Sequence, residues 1–235
     1  ISKGRGEAEN SNVDMNYFLG IQNSRLVADF EEGAGQPNPA LNHPIFGTTV
    51  ITTNTWHHAA VTYDSVSAVW ILYLDGIQDT TLDLGSNIAP RFDSIQHAGI
   101  GSAMTSTGAT AGFFQGIIDE ARIWNIVRTP AQIQSNLYGE LTTGTGLLAR
   151  WGLDDGATTY STTTAIDSAA PVQNGTLTNG PTWVPGFPFP APVDSTPPDA
   201  PVGLTATPYN SGVLLTWTAN TEPDFAGYNI YRSTT

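Results

Sequence analysis

An all-β fold, two antiparallel sheets packed as a sandwich, follows from three observations. Apolar residues alternate with period two wherever a pattern can be followed. Stretches rich in Gly, Pro, Asn and Thr separate the short apolar runs. Only one segment carries the start and stop signals of a helix. The chain has 235 residues, 40% of them hydrophobic. That is enough for one sandwich of full size and a smaller second piece.

The elements can be justified in order. NYFLGI (16–21) and RLVADF (25–30) alternate and are joined by the polar QNS, a first hairpin. WHHAAVTY (56–63) and AVWILYLDG (68–76) predict two further strands across a short polar loop. Asp75-Gly76 then suits the positive φ of a type I′ turn. FQGIIDEARIW (114–124) predicts another strand. In RTPAQIQSNLYGE, Thr129 is placed to cap a helix, Pro130 takes its first position, and Gln132 completes a capping box. Ile133 and Leu137 would bury one face, and Gly139 would end it. PGFPFPAPVDSTPPDAP (185–201) is too proline-rich for ladder pairing and marks a semi-rigid linker.

Charge narrows the function classes. Only 12% of residues are charged, the formal net charge is −13, and Lys3 is the sole lysine. Phosphate backbones and anionic membranes would be repelled, so nucleic acid is not an expected partner, while a cation such as calcium suits the surplus. Without cysteine there are no disulfides, thiolate zinc sites or cysteine nucleophiles. No apolar stretch is long enough to span a bilayer, so membrane insertion is not expected. The chain opens on ISKGRGEAEN and stops just after YNIYRSTT, and reads as a fragment of something longer.

WHHAAVTYD…WILYLDG followed by FFQGIIDEARIWN…RTPAQIQSNL resembles the laminin-G-like jelly roll of the concanavalin A-like lectin/glucanase superfamily. The resemblance covers residues 1–141, with the family's opening strands missing. Residues 142–184 either close this domain or open a second such repeat. After the linker at 185–198, residues 199–235 resemble the first half of a fibronectin type III domain. There PPDAPVGLTA stands as the entry strand, Trp217 as the core tryptophan, and YNIYRS (228–233) as the third strand. The expected fold is therefore an N-terminally truncated antiparallel jelly roll plus a partial immunoglobulin-like sandwich.

The resemblance implies a non-catalytic binding or adhesion module of a secreted or cell-surface multidomain protein, of a kind common in bacteria. Its partner would be a polysaccharide or a surface glycoprotein. A structural spacer for an enzyme elsewhere in the parent chain is the alternative. A glycoside hydrolase is a third reading. The glucanases of this superfamily carry Glu-x-Asp-x-Glu on one strand, which sets the acids on one face. None of the 21 acids here forms that run, so no catalytic residue is assigned.

Six residues are candidate calcium ligands. Asp119 and Glu120 are neighbours on a predicted strand and should point to opposite faces. Glu120 shares a face with Arg122, and an exposed ion pair is expected, worth roughly 0–1 kcal/mol. Asp119 shares the apolar face and must find backbone donors or a cation. It is first an anchor to a neighbouring loop and second a calcium ligand. In EAENSNVDMN, Glu9, Asn12 and Asp14 belong to an alternating set of side-chain oxygens that an extended backbone would align for a hard cation. Asp29 and Glu31, at the end of a strand, are the second contributors if the two segments meet. Plain turns and an acidic strand end are the simpler readings of both segments. His57 and His58 would point apart and cannot chelate one ion. His43 and His97 are isolated. Trp56, Trp70, Trp124, Trp151, Trp183 and Trp217 all sit where core packing is expected. An exposed aromatic shelf would have to come from Tyr17, Tyr73, Phe92 or Phe113.

Overall fold

A computed structural model describes residues 1–155, 163–189, 199–210, 212–220, 227, 228 and 230. The chain divides into two compact units, Ile1–Phe189 and Pro190–Thr235. The first begins with β1 (Ser2–Lys3), β2 (Tyr17–Gln22), β3 (Arg25–Phe30), β4 (Ile45–Phe46), β5 (Ala59–Asp64), β6 (Val69–Leu74) and β7 (Ile77–Asp83). It continues with β8 (Ala98–Gly99), β9 (Ala103–Met104), β10 (Thr110–Ala111), β11 (Ala121–Trp124), helix α1 (Pro130–Ser135), β12 (Leu147–Trp151), β13 (Thr164–Ala165) and β14 (Gly175–Thr176). The second contains β15 (Thr205–Tyr209) and β16 (Gly212–Thr216). The protein is all-β, and every strand pairing among the described residues is antiparallel.

Two sheets face each other in the first unit. One has the order β4-β3-β2-β1-β8 and the other β5-β6-β7. The alternation of β3 sends Leu26, Ala28 and Phe30 inward, where they meet Trp70, Leu72 and Leu74 of β6 with Ile45 and Ile88. Phe30, Tyr63 and Trp70 form a three-ring cluster with centroids 4.6–5.0 Å apart. The reverse face of β3 is buried too, at Val27 and Asp29.

Both expected hairpins form. β2 and β3 close around Asn23-Ser24, both at positive φ (51° and 59°), and β6 and β7 around Asp75-Gly76 (51° and 74°). That turn hand matches the strand twist. The capping box of α1 is present, with Gln132 N donating to Thr129 Oγ1 and Thr129 N to Gln132 Oε1. The helix stops three residues before Gly139 is reached, because Asn136 caps it by donating its N–H to Ile133 O.

Two expected strands begin late. β5 starts at Ala59, because His57 and His58 are held by Asp75 instead of a ladder. β11 starts at Ala121, after Gly112 and Glu120 leave extended backbone at φ 65° and 51°. β12 pairs with β11, placing Arg150 opposite Arg122. In the second unit β15 and β16 pair, and Trp217 packs against Tyr228 at 4.8 Å. The strand expected at 228–233 lies mainly outside the described residues, as do residues 190–198 of the linker expected at 185–198; residues 185–189 belong instead to the first unit, where Phe187 N donates to Asp119.

Phe30 is fully buried at the centre of the ring cluster. Phe30→Ala should lower unfolding free energy by about 3–5 kcal/mol in urea titrations. His58 has its pKa pushed below the ordinary 6.5 by burial, with Arg122 adding to the effect and Asp75 opposing it. The folded state therefore resists protonation of this ring, and stability falls as pH drops from 6.5 through the lowered pKa. Urea unfolding at pH 7 and pH 5 should show the wild type losing stability relative to His58→Gln.

Candidate cation-binding cleft

The N-terminal segment 5–14 is a coil of turns, not the extended backbone its alternating oxygens predicted. Asp14 makes it so. Its Oδ2 accepts from Asn10 N (3.1 Å) and its Oδ1 from Met15 N (2.9 Å), while Asp14 N donates to Ser11 O. Asn10 adopts φ 55° to close the turn. The turn carries Glu9 back toward Asp14.

A second segment, 91–96, holds this coil against the end of β3. Arg91 N donates to Glu31 O (2.7 Å), Ser94 Oγ to Asp14 O (2.6 Å), and Ile95 N to Asn12 O (2.8 Å). The fully buried Gln96 accepts from Arg5 N and Gly6 N and donates to Glu7 Oε2 and Val13 O. Gly4, at φ 98°, permits that approach, since a Cβ there would collide with Gln96 Oε1.

The outcome is an open cleft of about 240 Å3, lined by Arg5, Glu7, Glu9, Asp14, Glu31 and Asn42 among others. One carboxylate oxygen from each of Glu9, Asp14 and Glu31 lies within 4.8 Å of the others. Two oxygens that each sit 2.3–2.6 Å from one calcium ion can be at most about 5.2 Å apart, so the spacing fits a shared ion. Asp14 and Glu31 are 1% and 2% exposed, and Glu31 Oε2 has no hydrogen-bond partner. Burial, then the charges of Asp14 and Glu9, push the Glu31 pKa up to about 8. Glu7 is different. The Ser106 N–H holds its pKa below the ordinary carboxylate value, so it stays ionised beside the cleft. The donors are all oxygen, which suits a hard cation better than zinc.

The other expected residues stand apart. Asn12 is exposed and meets the cleft's scaffold only through its carbonyl. Asp29 is buried beneath it, accepts from His43 N (2.8 Å), and has its pKa pushed up to about 6 by burial. Asp119 lies outside this carboxylate cluster. Its Oδ2 accepts from Phe187 N (2.7 Å) and its Oδ1 from Glu120 N, which ties the 185–189 segment down; burial raises its pKa. Gly186 is needed there, because a Cβ would run into the Asp119 carboxylate.

Glu120 forms no exposed pair. It precedes β11, its side chain is 8% exposed, and it accepts from both Arg122 (2.6 and 2.9 Å) and Arg150. The register of β11 and β12 sets two guanidiniums side by side; Glu120 bridges them, and Glu140 lies 3.6 Å from Arg150. His43, expected to be isolated, is buried against Phe30 with Nε2 3.6 Å from Glu32. Of the tryptophans only Trp70 is fully buried; Trp56, Trp124, Trp151, Trp183 and Trp217 are half-buried. Tyr73 is a core residue, whereas Phe92 and Phe113 are exposed. Glu7 stood with Glu9 ahead of the alternating oxygens in the sequence, but its partners Gln96 and Ser106 did not show there, and Asn42 and the 91–96 clamp gave no signal, since their partners lie in other segments.

A family model described as the concanavalin A-like lectin/glucanases superfamily, of the laminin G type, matches residues 4–134. No protein of curated function matches the chain. Among solved structures, a "putative carbohydrate binding protein" from Bacteroides ovatus is 21% identical, with a TM-score of 0.44. The match covers 68% of this chain and 46% of that protein, so the chain spans less than half of its length.

Asp119→Ala should leave calcium titrations of the cleft as in the wild type. The same change orphans the Phe187 N–H, and urea unfolding should show a loss of about 1–3 kcal/mol.

Proposed function

Because the chain belongs to the concanavalin A-like lectin/glucanases superfamily, we propose that it is a non-catalytic carbohydrate-binding module with a calcium ion in the Glu9–Asp14–Glu31 cleft. One observation carries the calcium part. Glu31 is buried with an unpartnered oxygen, facing two more carboxylates within 4.8 Å. Three carboxylates so placed repel one another, and a dication offsets that repulsion while satisfying the free oxygen. The carbohydrate part rests on the family.

The same cluster is a poor hydrolase. A raised pKa on Glu31 beside an acid tied to backbone donors resembles an acid/base pair. However, a retaining pair needs a nucleophile free to attack across a sugar. Here both Asp14 oxygens are held by backbone N–H groups. Laminarin and related glucans should show no turnover.

Around this module we place a secreted or cell-surface protein with several domains, acting in adhesion. The proline-rich residues 185–198 and the β15–β16 hairpin with Trp217 against Tyr228 support a fibronectin type III domain after the linker. Its partner is a polysaccharide or a surface glycoprotein.

Calorimetry should detect calcium binding, and calcium should raise the melting temperature of the wild type. Glu31→Gln should weaken calcium more than about tenfold. A glycan array should show binding with calcium that is lost with EDTA. Silence on the array under both conditions would leave a structural spacer as the better description.

A further inference from the structure

Phe92 is the most exposed of the large apolar side chains among the described residues, at 83%. The residues on either side of it are anchored. Arg91 before it is buried at 2%, and its Nη1 donates to Asp93 Oδ1 (2.9 Å), bridging the backbone on either side of Phe92. Two residues on, Ser94 is buried and bonded to Asp14, and Gln96 is fully buried. An 83% exposed ring on an anchored segment loses little freedom on binding, which is what a recognition residue needs.

Its place in the fold matters as much as its exposure. Residues 91, 94 and 96 bond to the three stretches that supply Glu31, Asp14 and Glu7. Phe92 is thus one residue from a backbone bond to Glu31, and Ile95, 55% exposed, bonds Asn12 through its own N–H. An apolar platform and a carboxylate cleft are carried on one clamp.

We propose that Phe92 is a glycan-recognition residue. The C–H face of a pyranose lies on its ring, while hydroxyl oxygens of the same saccharide reach the cation in the cleft. Aromatic surface and a hard cation together match a sugar, which has one apolar face and many neutral oxygens. An anionic bilayer fits less well, given the net charge of −13. The inference rests on the calcium-dependent carbohydrate reading above and adds the residue that selects the ligand.

The test compares wild type, Phe92→Ala and Phe92→Trp on immobilised laminarin, xylan and polygalacturonate, with calcium or with EDTA. Calcium affinity is measured in parallel by calorimetry. The expected result is calcium-dependent binding of one polysaccharide by the wild type, retained in Phe92→Trp and weakened about tenfold in Phe92→Ala. Calcium affinity should be the same in all three. Equal polysaccharide binding by Phe92→Ala overturns the role of Phe92 and leaves the carbohydrate reading intact. A matching loss of calcium affinity overturns it too, because the ring would then act through the cleft. Binding of none of the polysaccharides by the wild type overturns both readings. So does calcium-dependent binding to phosphatidylserine vesicles that Phe92→Ala abolishes, since the ring would then serve a membrane.

Discussion

Strand β3 is buried on both sides, and the consequences run into the cleft. Leu26, Ala28 and Phe30 fill the sandwich core, and Val27 and Asp29 are covered on the reverse. The chain then continues into Glu31 and Glu32, at 2% and 0% exposure. A buried carboxylate costs several kcal/mol unless donors or cations compensate it. Asp29 is met by His43 N; Glu32 accepts from Asn38 N through Oε2, while its Oε1 makes no hydrogen bond and lies 3.6 Å from His43 Nε2. Glu31 keeps an oxygen without a donor and faces Asp14 and Glu9. Glu32's free oxygen has an imidazole beside it, whereas Glu31 meets further carboxylates, and that difference makes the end of a core strand a candidate cation cleft.

Gln96 makes that cleft rigid. Its side-chain amide uses two donors and two acceptor positions, all on the N-terminal segment, and its backbone carbonyl accepts from Lys3 Nζ. A saturated buried amide is costly to disrupt, because any opening leaves several groups unpaired. The acids of segment 5–14 are therefore held near Glu31 despite their repulsion. Phe92 inherits the same rigidity from the other end of the clamp.

Local features were legible because their causes are local. Asn23-Ser24 and Asp75-Gly76 sit within the turns they make, and Thr129 is three residues from the Gln132 that completes its cap. The resemblance carried by the WHHAAVTYD and GIIDEARIWN segments extended this to the family. Asp119 and Glu120 were legible only in part. Asp119 is tied to a neighbouring segment and Glu120 does pair with Arg122, but that pair is buried, the strand that was to part the two acids starts at Ala121, and their partners Phe187 and Arg150 are 68 and 30 residues away from Asp119 and Glu120. Nothing near Glu120 foretold a buried pair of guanidiniums.

Alternation, turn residues and capping are short-range, so the sequence by itself determined an all-β chain, its two tight hairpins, its one helix and its superfamily. It also supplied six candidate ligands and left Phe92 among several aromatics. Only the tertiary structure decided that Glu9, Asp14 and Glu31 meet, and that Asp119 serves as a tether elsewhere. It also set Phe92 on the segment whose neighbouring residues bond to the stretches that carry those acids. That decision depends on closing loops of tens of residues, where no local preference ranks one partner above another. Burial of β3 and saturation of Gln96 do the ranking.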